Sequence, residues 1–174
     1  MRDHDKTVPH DWHAAFRDAI RLTFFPYLHV LSFEFEHPLN TEPLRIDAVI
    51  IKKEPGIIID NPLGSMFRRI NIVEYKSPND YLSVYDYHKV CAYARLYFAV
   101  HHLAEGIEEM TVTLVGRRRP RKLLGHLRET CGYEVNERGS GIYEVKGEPY
   151  RVQVVVTEEL EGEVEWLREL RGGL

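Results

Sequence analysis

The distribution of apolar residues along the chain predicts helices and strands in alternation. A stripe at spacings of three and four predicts a helix over residues 11–28, and period-two alternation predicts a strand over residues 30–38. Two further runs, residues 44–53 and 70–76, are apolar in both alternating rows of side chains. A strand that is apolar on both faces is typical of the centre of a covered sheet. These two runs therefore predict neighbouring central strands.

The second half of the chain continues this alternation. Ser83 and Asp86 have the spacing of a capping box, which predicts the start of a long helix that ends near residue 104. Residues 110–115 predict a strand parallel to the one over residues 70–76, because a helix connects the two. The remaining predicted elements are a helix after the basic run 117–122, strands over residues 142–146 and 150–157, and a final helix capped by Thr157. The pattern indicates an α/β fold with a mixed sheet.

Charged residues interrupt both predicted central strands. Glu74 and Lys76 are two residues apart, so their side chains share one face of the strand, about 6.5–7 Å apart along the backbone. Buried charges are costly unless they pair or bind an ion. Asp47 interrupts the preceding strand, and an antiparallel pairing with Val49 opposite Ile72 would place Asp47 opposite Glu74. Like charges opposite each other destabilise a sheet, so this pairing predicts a divalent cation between the two carboxylates.

Composition limits the class of protein. A chain of 174 residues with 44% hydrophobic and 29% charged residues is expected to fold as one soluble domain. The net charge of −4 means that any nucleic-acid binding must use a local basic surface. The two cysteines, Cys91 and Cys131, form no disulfide framework, and no apolar signal or membrane segment is evident. We therefore expect a cytoplasmic protein with no membrane partner.

The order of these features resembles that of the PD-(D/E)XK nuclease superfamily. The resemblance covers residues 11–116 and consists of a helix, a strand, a strand with Asp, a strand with Glu-x-Lys, a helix and a strand. The finer pattern FEFEHPLNTEPLRIDAVII…FRRINIVEYKSPNDYLSVYDYHKVCAYA is similar to an uncharacterised bacterial branch related to transposase-associated nucleases. It implies a restriction-endonuclease-like αβββαβ core with a mixed central sheet flanked by helices. Residues 117–174 would form a C-terminal α/β extension of the same single domain.

This resemblance also implies an activity, the metal-dependent hydrolysis of phosphodiester bonds in DNA. Asp47 and Glu74 would hold Mg²⁺ or Mn²⁺, and Lys76 would orient the attacking water. The residue chemistry agrees, because Mg²⁺ prefers carboxylate oxygens and lowers the pKa of bound water. A lysine nearby can also stabilise negative charge that develops on the phosphate.

Further site residues are expected around these three. Many superfamily members carry an additional glutamate, for which Asp18, Glu34 and Glu36 are candidates; Glu36 is favoured because it lies toward the end of its strand nearest Asp47. Some relatives carry Gln-x-x-x-Tyr on the following helix, where this chain has Lys89 and Tyr93 in a supporting position. Arg45 could contact a phosphate or neutralise a carboxylate.

The basic run is the candidate nucleic-acid surface. Its five basic side chains would contact phosphates, or they would form a solvated loop that opens a helix: Arg117, Arg118, Arg119, Arg121 and Lys122. DNA is the expected partner, while RNA, a homo-oligomer and activation by a partner stay open. The alternative function is a catalytically inactive nuclease-fold module that binds nucleic acid or a protein.

Overall fold

A seven-stranded mixed sheet forms the centre of the fold. The computed structural model describes residues 12–35, 48–162 and 167. The described strands are β1 Leu31–Phe35, β2 Ala48–Lys53, β3 Ile70–Tyr75, β4 Met110–Gly116, β5 Glu134–Gly139, β6 Ile142–Lys146 and β7 Arg151–Val156. The described α-helices are α1 Trp12–Thr23, α2 Val84–His101 and α3 Arg121–Glu129. The strand order is β1-β2-β3-β4-β7-β6-β5, so β3 lies well inside the sheet.

Helices cover both faces of this sheet. The buried residues of α2 and α3 pack with one face, and those of α1 pack with the other. The α1 face is also covered by the long connection between β2 and β3, which contributes Ile59, Leu63 and Phe67. This arrangement explains why β2 and β3 are apolar in both rows. None of the helices in the described part of the chain is long and apolar enough to cross a membrane.

Most predicted elements are present, with three differences. The first helix ends at Thr23, and a 3-10 turn at Phe25–Tyr27 follows it. Strand β5 was not predicted, because it lies at the sheet edge and only one of its residues, Val135, is buried. At the predicted final helix, Thr157–Glu159 forms a 3-10 turn, after which Leu160 has an extended backbone. Most of that predicted helix lies outside the described residues.

The predicted pairing of the two central strands was wrong by one residue. Strands β2 and β3 are antiparallel, but Val49 pairs with Val73, and Ala48 rather than Asp47 pairs with Glu74. Both rows of β2 are apolar, so matching apolar residues cannot distinguish two registers that differ by one residue. Asp47 itself lies outside the described residues.

A buried asparagine holds the observed register in place. Asn71 is fully buried opposite Ile51, and its side-chain amide donates to the Ile51 carbonyl oxygen at 3.0 Å. The same amide donates to the Arg68 carbonyl oxygen at 2.7 Å, and its oxygen accepts from the Arg68 N–H at 2.8 Å. These three bonds satisfy the polar atoms of Asn71 and bind the start of β3 to both β2 and the preceding connection.

We predict that Asn71→Ala lowers the free energy of unfolding by about 2–3 kcal/mol, because it removes three hydrogen bonds, one of them fully buried, to the backbone of Ile51 and Arg68. Urea denaturation measures the change. Asn136→Ala is the matched control, since Asn136 is exposed on the edge strand β5 and its loss should cost less than about 0.5 kcal/mol. An equal, small effect in both variants would show that Asn71 does not anchor the register.

Candidate active site

Glu74 is a buried carboxylate near the C-terminal end of β3. It lies between Ala48 of β2 and Leu114 of β4, and its residue is only 3% exposed. Lys89 of α2 reaches down to it, with its Nζ 3.0 Å from Oε1 of Glu74. Burial lowers the pKa of Lys89, but the hydrogen bond and charge of Glu74 outweigh it and leave the pKa raised. Lys89 is therefore a fixed positive charge beside Glu74.

Lys76 follows β3 directly and makes a second ion pair with the same helix. Its backbone N–H donates to the Val115 carbonyl oxygen at 2.8 Å, which continues the pairing with β4. Its Nζ donates to Oδ1 of Asp86 at 2.8 Å. The charges of the two elements are therefore complementary. Glu74 and Lys76 at the end of the strand face Lys89 and Asp86 on the helix.

Asp86 belongs at the same time to the cap of α2. Its Oδ2 accepts hydrogen bonds from the backbone N–H of Ser83 at 2.9 Å and from the Ser83 hydroxyl at 2.6 Å. The Ser83 Oγ in turn accepts from the Asp86 N–H, which completes the predicted capping box. Burial raises the pKa of Asp86, but the hydrogen bonds from Lys76 and Ser83 outweigh it and hold the pKa below its ordinary 3.8.

Sequence reasoning did not identify Asp86 as a partner of Lys76, because its capping role alone accounted for it. A signal was present in the spacing. Asp86 and Lys89 are three residues apart and lie on one side of a helix. On the helix, Asp86 thus complements Lys76, and Lys89 complements Glu74.

The other described candidates for the site are Tyr93, Glu34 and Asp18. Tyr93 lies beside Lys89, whose Nζ is 5.8 Å from the centre of the tyrosine ring. Glu34 forms an ion pair with Lys52 on the neighbouring strand, and Asp18 is exposed on α1, which covers the opposite face. The remaining predicted residues, Asp47, Glu36 and Arg45, lie outside the described part of the chain.

Among the described residues, Glu74 could supply one ligand of a metal site. Within residues 12–35, 48–162 and 167, no three histidine, cysteine or acidic side chains are grouped closely enough to hold a metal ion. Glu74 offers hard carboxylate oxygens, and Mg²⁺ in proteins takes only one or two carboxylates and keeps several waters. Glu74 is therefore chemically suited to be one ligand.

The basic run is partly neutralised by acids of the C-terminal region. Arg117 Nε lies 2.8 Å from Glu158 Oε1, and Arg119 makes two hydrogen bonds to Glu159 at 2.9 and 3.2 Å. Arg118 instead donates to the hydroxyl of Tyr81 at 2.6 Å. The last two members, Arg121 and Lys122, are exposed at the start of α3. Three of the five side chains predicted to contact phosphates are therefore bonded to other side chains, and two are exposed at the start of α3.

Comparisons with known proteins add no relative on which to base a function. No protein-family model, curated protein or solved structure significantly matches the chain. The resemblance to PD-(D/E)XK nucleases consequently depends on the motif and on the order of the elements.

We predict that the ion pair of Lys76 and Asp86 stabilises the protein in a pH-dependent way. Because the pKa of Asp86 is lowered in the folded state, its contribution is present above about 3.8 and is lost as the pH falls through the lowered value. Asp86→Asn should cost about 1 kcal/mol at neutral pH.

The measurement is denaturant unfolding of both proteins over a series of acidic pH values. The difference between wild type and Asp86→Asn should shrink as the pH falls below about 3.8. Asp80→Asn, in the exposed loop before α2, is the control for the removal of one carboxylate. A difference that stays constant with pH would exclude the ionic contribution.

Proposed function

We propose that the protein is a metal-dependent nuclease that hydrolyses phosphodiester bonds of DNA. The observation that supports this most is the position of Glu74 and Lys76 at the C-terminal end of β3. Strand β4 runs parallel to β3 and ends at the same edge. In open α/β sheets, this edge is where ligands bind. The observed order α1, β1, β2, β3, α2, β4 is also compatible with a restriction-endonuclease-like core.

In this proposal, Glu74 and Asp47 hold Mg²⁺ or Mn²⁺. Such an ion would act as a Lewis acid, which would polarise the phosphoryl oxygen and lower the pKa of a bound water. Lys89 fixes the orientation of the Glu74 carboxylate through its bond to Oε1. Glu36 is the proposed additional acid, and Arg45 is a proposed contact to phosphate or carboxylate.

Lys76 is the proposed group that acts on the phosphate or the water. A lysine ammonium has three N–H donors, and the bond to Asp86 uses one of them. The other two can donate to the attacking water or to a phosphoryl oxygen that gains negative charge. Asp86 is therefore a proposed positioning residue, because it holds the Lys76 amine at 2.8 Å without needing to touch the substrate.

One observation favours the second candidate function, a catalytically inactive module that binds nucleic acid or a protein. Both charges of the motif are already balanced by α2, since Glu74 pairs with Lys89 and Lys76 pairs with Asp86. Such a site is stable without a metal ion. The two candidates differ in whether the protein binds metal and cleaves DNA, which the next two experiments measure.

We predict that the protein nicks or cuts plasmid DNA with Mg²⁺ or Mn²⁺ and loses this activity in chelator. Lys76→Ala should lower the rate by about 100- to 1,000-fold, the usual effect of removing one donor to a developing negative charge. Lys146→Ala is the matched control, because Lys146 pairs with Glu134 at the far edge of the sheet. Wild-type protein that is inert on plasmid, single-stranded DNA and RNA would favour the inactive module.

We predict that metal stabilises the folded protein through Asp47 and Glu74. A ligand that binds only the folded state stabilises it by about 2.7 kcal/mol at a concentration of 100 times its Kd. Thermal melts in chelator and in Mg²⁺ or Mn²⁺ should therefore shift for wild type, but not for Asp47→Asn or Glu74→Gln. Glu129→Gln, an exposed substitution on α3, should keep the shift. A full shift in Asp47→Asn would remove that residue from the proposed ligands.

A further inference from the structure

A cavity of about 600 Å³ lies beside the candidate site. The loop before α2 and the start of α3 form its walls, and its lining includes Tyr81, Leu82, Ser83, Tyr85, Arg121 and Lys122. This volume lies within the range of about 300–1,000 Å³ that is typical of ligand sites. None of the roles assigned above to Glu74 and Lys76 requires this cavity.

Two aromatic rings are exposed at the cavity. Tyr85 is 86% exposed and Tyr81 is 61% exposed, which is unusual for such large side chains. Arg118 holds Tyr81 in place, because it donates to the tyrosine hydroxyl and its guanidinium carbon lies 5.6 Å from the ring centre. The ring of Tyr85 lies almost wholly in solvent. Exposed rings of this kind offer flat faces on which a second flat group can stack.

The charge around these rings is positive. Arg121 and Lys122 line the cavity at the start of α3, and both are exposed. Arg119 also lines the cavity, but its charge is balanced by Glu159. The protein as a whole has a net charge of −4, so this positive region is a local feature. Basic side chains beside aromatic rings are the combination with which proteins bind single-stranded nucleic acids.

The cavity is connected to the candidate active site by two hydrogen bonds. Ser83 lines the cavity, and its hydroxyl donates to Oδ2 of Asp86 at 2.6 Å. The other oxygen of Asp86 accepts from Nζ of Lys76 at 2.8 Å. A nucleotide in the cavity would therefore lie close to the group proposed to act on the scissile phosphate.

We propose that this cavity binds unpaired nucleotides of a DNA strand. Bases stack on Tyr85 and Tyr81, and Arg121 and Lys122 contact the phosphates. Within a duplex the bases are stacked on each other and their faces are inaccessible, so the exposed rings select an unpaired stretch. The inference rests on the proposed nuclease function and narrows its substrate to DNA with a single-stranded region beside the cleaved bond.

Binding is tested apart from cleavage by measuring fluorescence anisotropy in chelator. The probes are a labelled oligodeoxynucleotide of about 16 nucleotides, a length at the upper end of known single-strand sites, and a duplex of the same length. Wild type should bind the single strand more tightly. Tyr85→Ala should weaken that binding by about 5- to 150-fold, the usual effect of losing a stacked base. Tyr85→Phe keeps the ring and should keep the affinity.

The salt dependence tests the phosphate contacts. Replacing both Arg121 and Lys122 by alanine should reduce the slope of log affinity against log salt by about 1.4, or about 0.7 for each lost contact to a single strand. The matched control replaces Arg138 and Lys146, two exposed basic residues at the far edge of the sheet. That control should leave the slope unchanged.

The outcomes separate this inference from the nuclease function. Equal affinity of wild type for single strand and duplex, or unchanged binding by Tyr85→Ala, would overturn the assignment of the cavity. Cleavage of plasmid DNA in that case would leave the nuclease function standing. Conversely, single-strand binding that depends on Tyr85 in a protein that cleaves nothing would support the cavity and count against the nuclease.

Discussion

The contact between the end of β3 and helix α2 is the interaction on which this structure depends. Removing a carboxylate from water costs several kcal/mol unless a partner compensates, and Glu74 is almost completely buried. Lys89 supplies that compensation, and Asp86 does the same for Lys76. The two pairs join α2 to the end of the strand, and the apolar side chains of α2 complete the core on that face.

Much of the fold was predictable because it follows from periodicity and local chemistry. The capping box located the start of α2, and the helix between β3 and β4 required the two strands to be parallel. The β2–β3 register was not predictable from apolar patterning, since both rows of β2 are apolar. It depends instead on side-chain bonds from Asn71 to the backbone. Strand β5 was missed because an edge strand with a single buried residue carries almost no pattern.

The arrangement of the candidate site was predictable only for residues that lie on the same strand or helix. Strand alternation predicted that Glu74 and Lys76 share a face, and both reach α2. The pairing of Arg117 with Glu158 joins residues 41 positions apart, so no local pattern indicates it. Nor did sequence show that the exposed Tyr85 belongs to the wall of a cavity. Contacts between residues that are distant in the sequence can be identified only from the three-dimensional structure.

The double role of Asp86 has a consequence for how the protein would respond to its ligands. One carboxylate closes the first turn of α2 with one oxygen and holds Lys76 with the other. The cap of α2 and the position of the Lys76 amine therefore depend on the same side chain. Coupling between two binding equilibria is reciprocal. On the proposals above, a strand that binds beside Ser83 and a phosphate that binds Lys76 would both act on Asp86, so each would change the affinity for the other by the same factor.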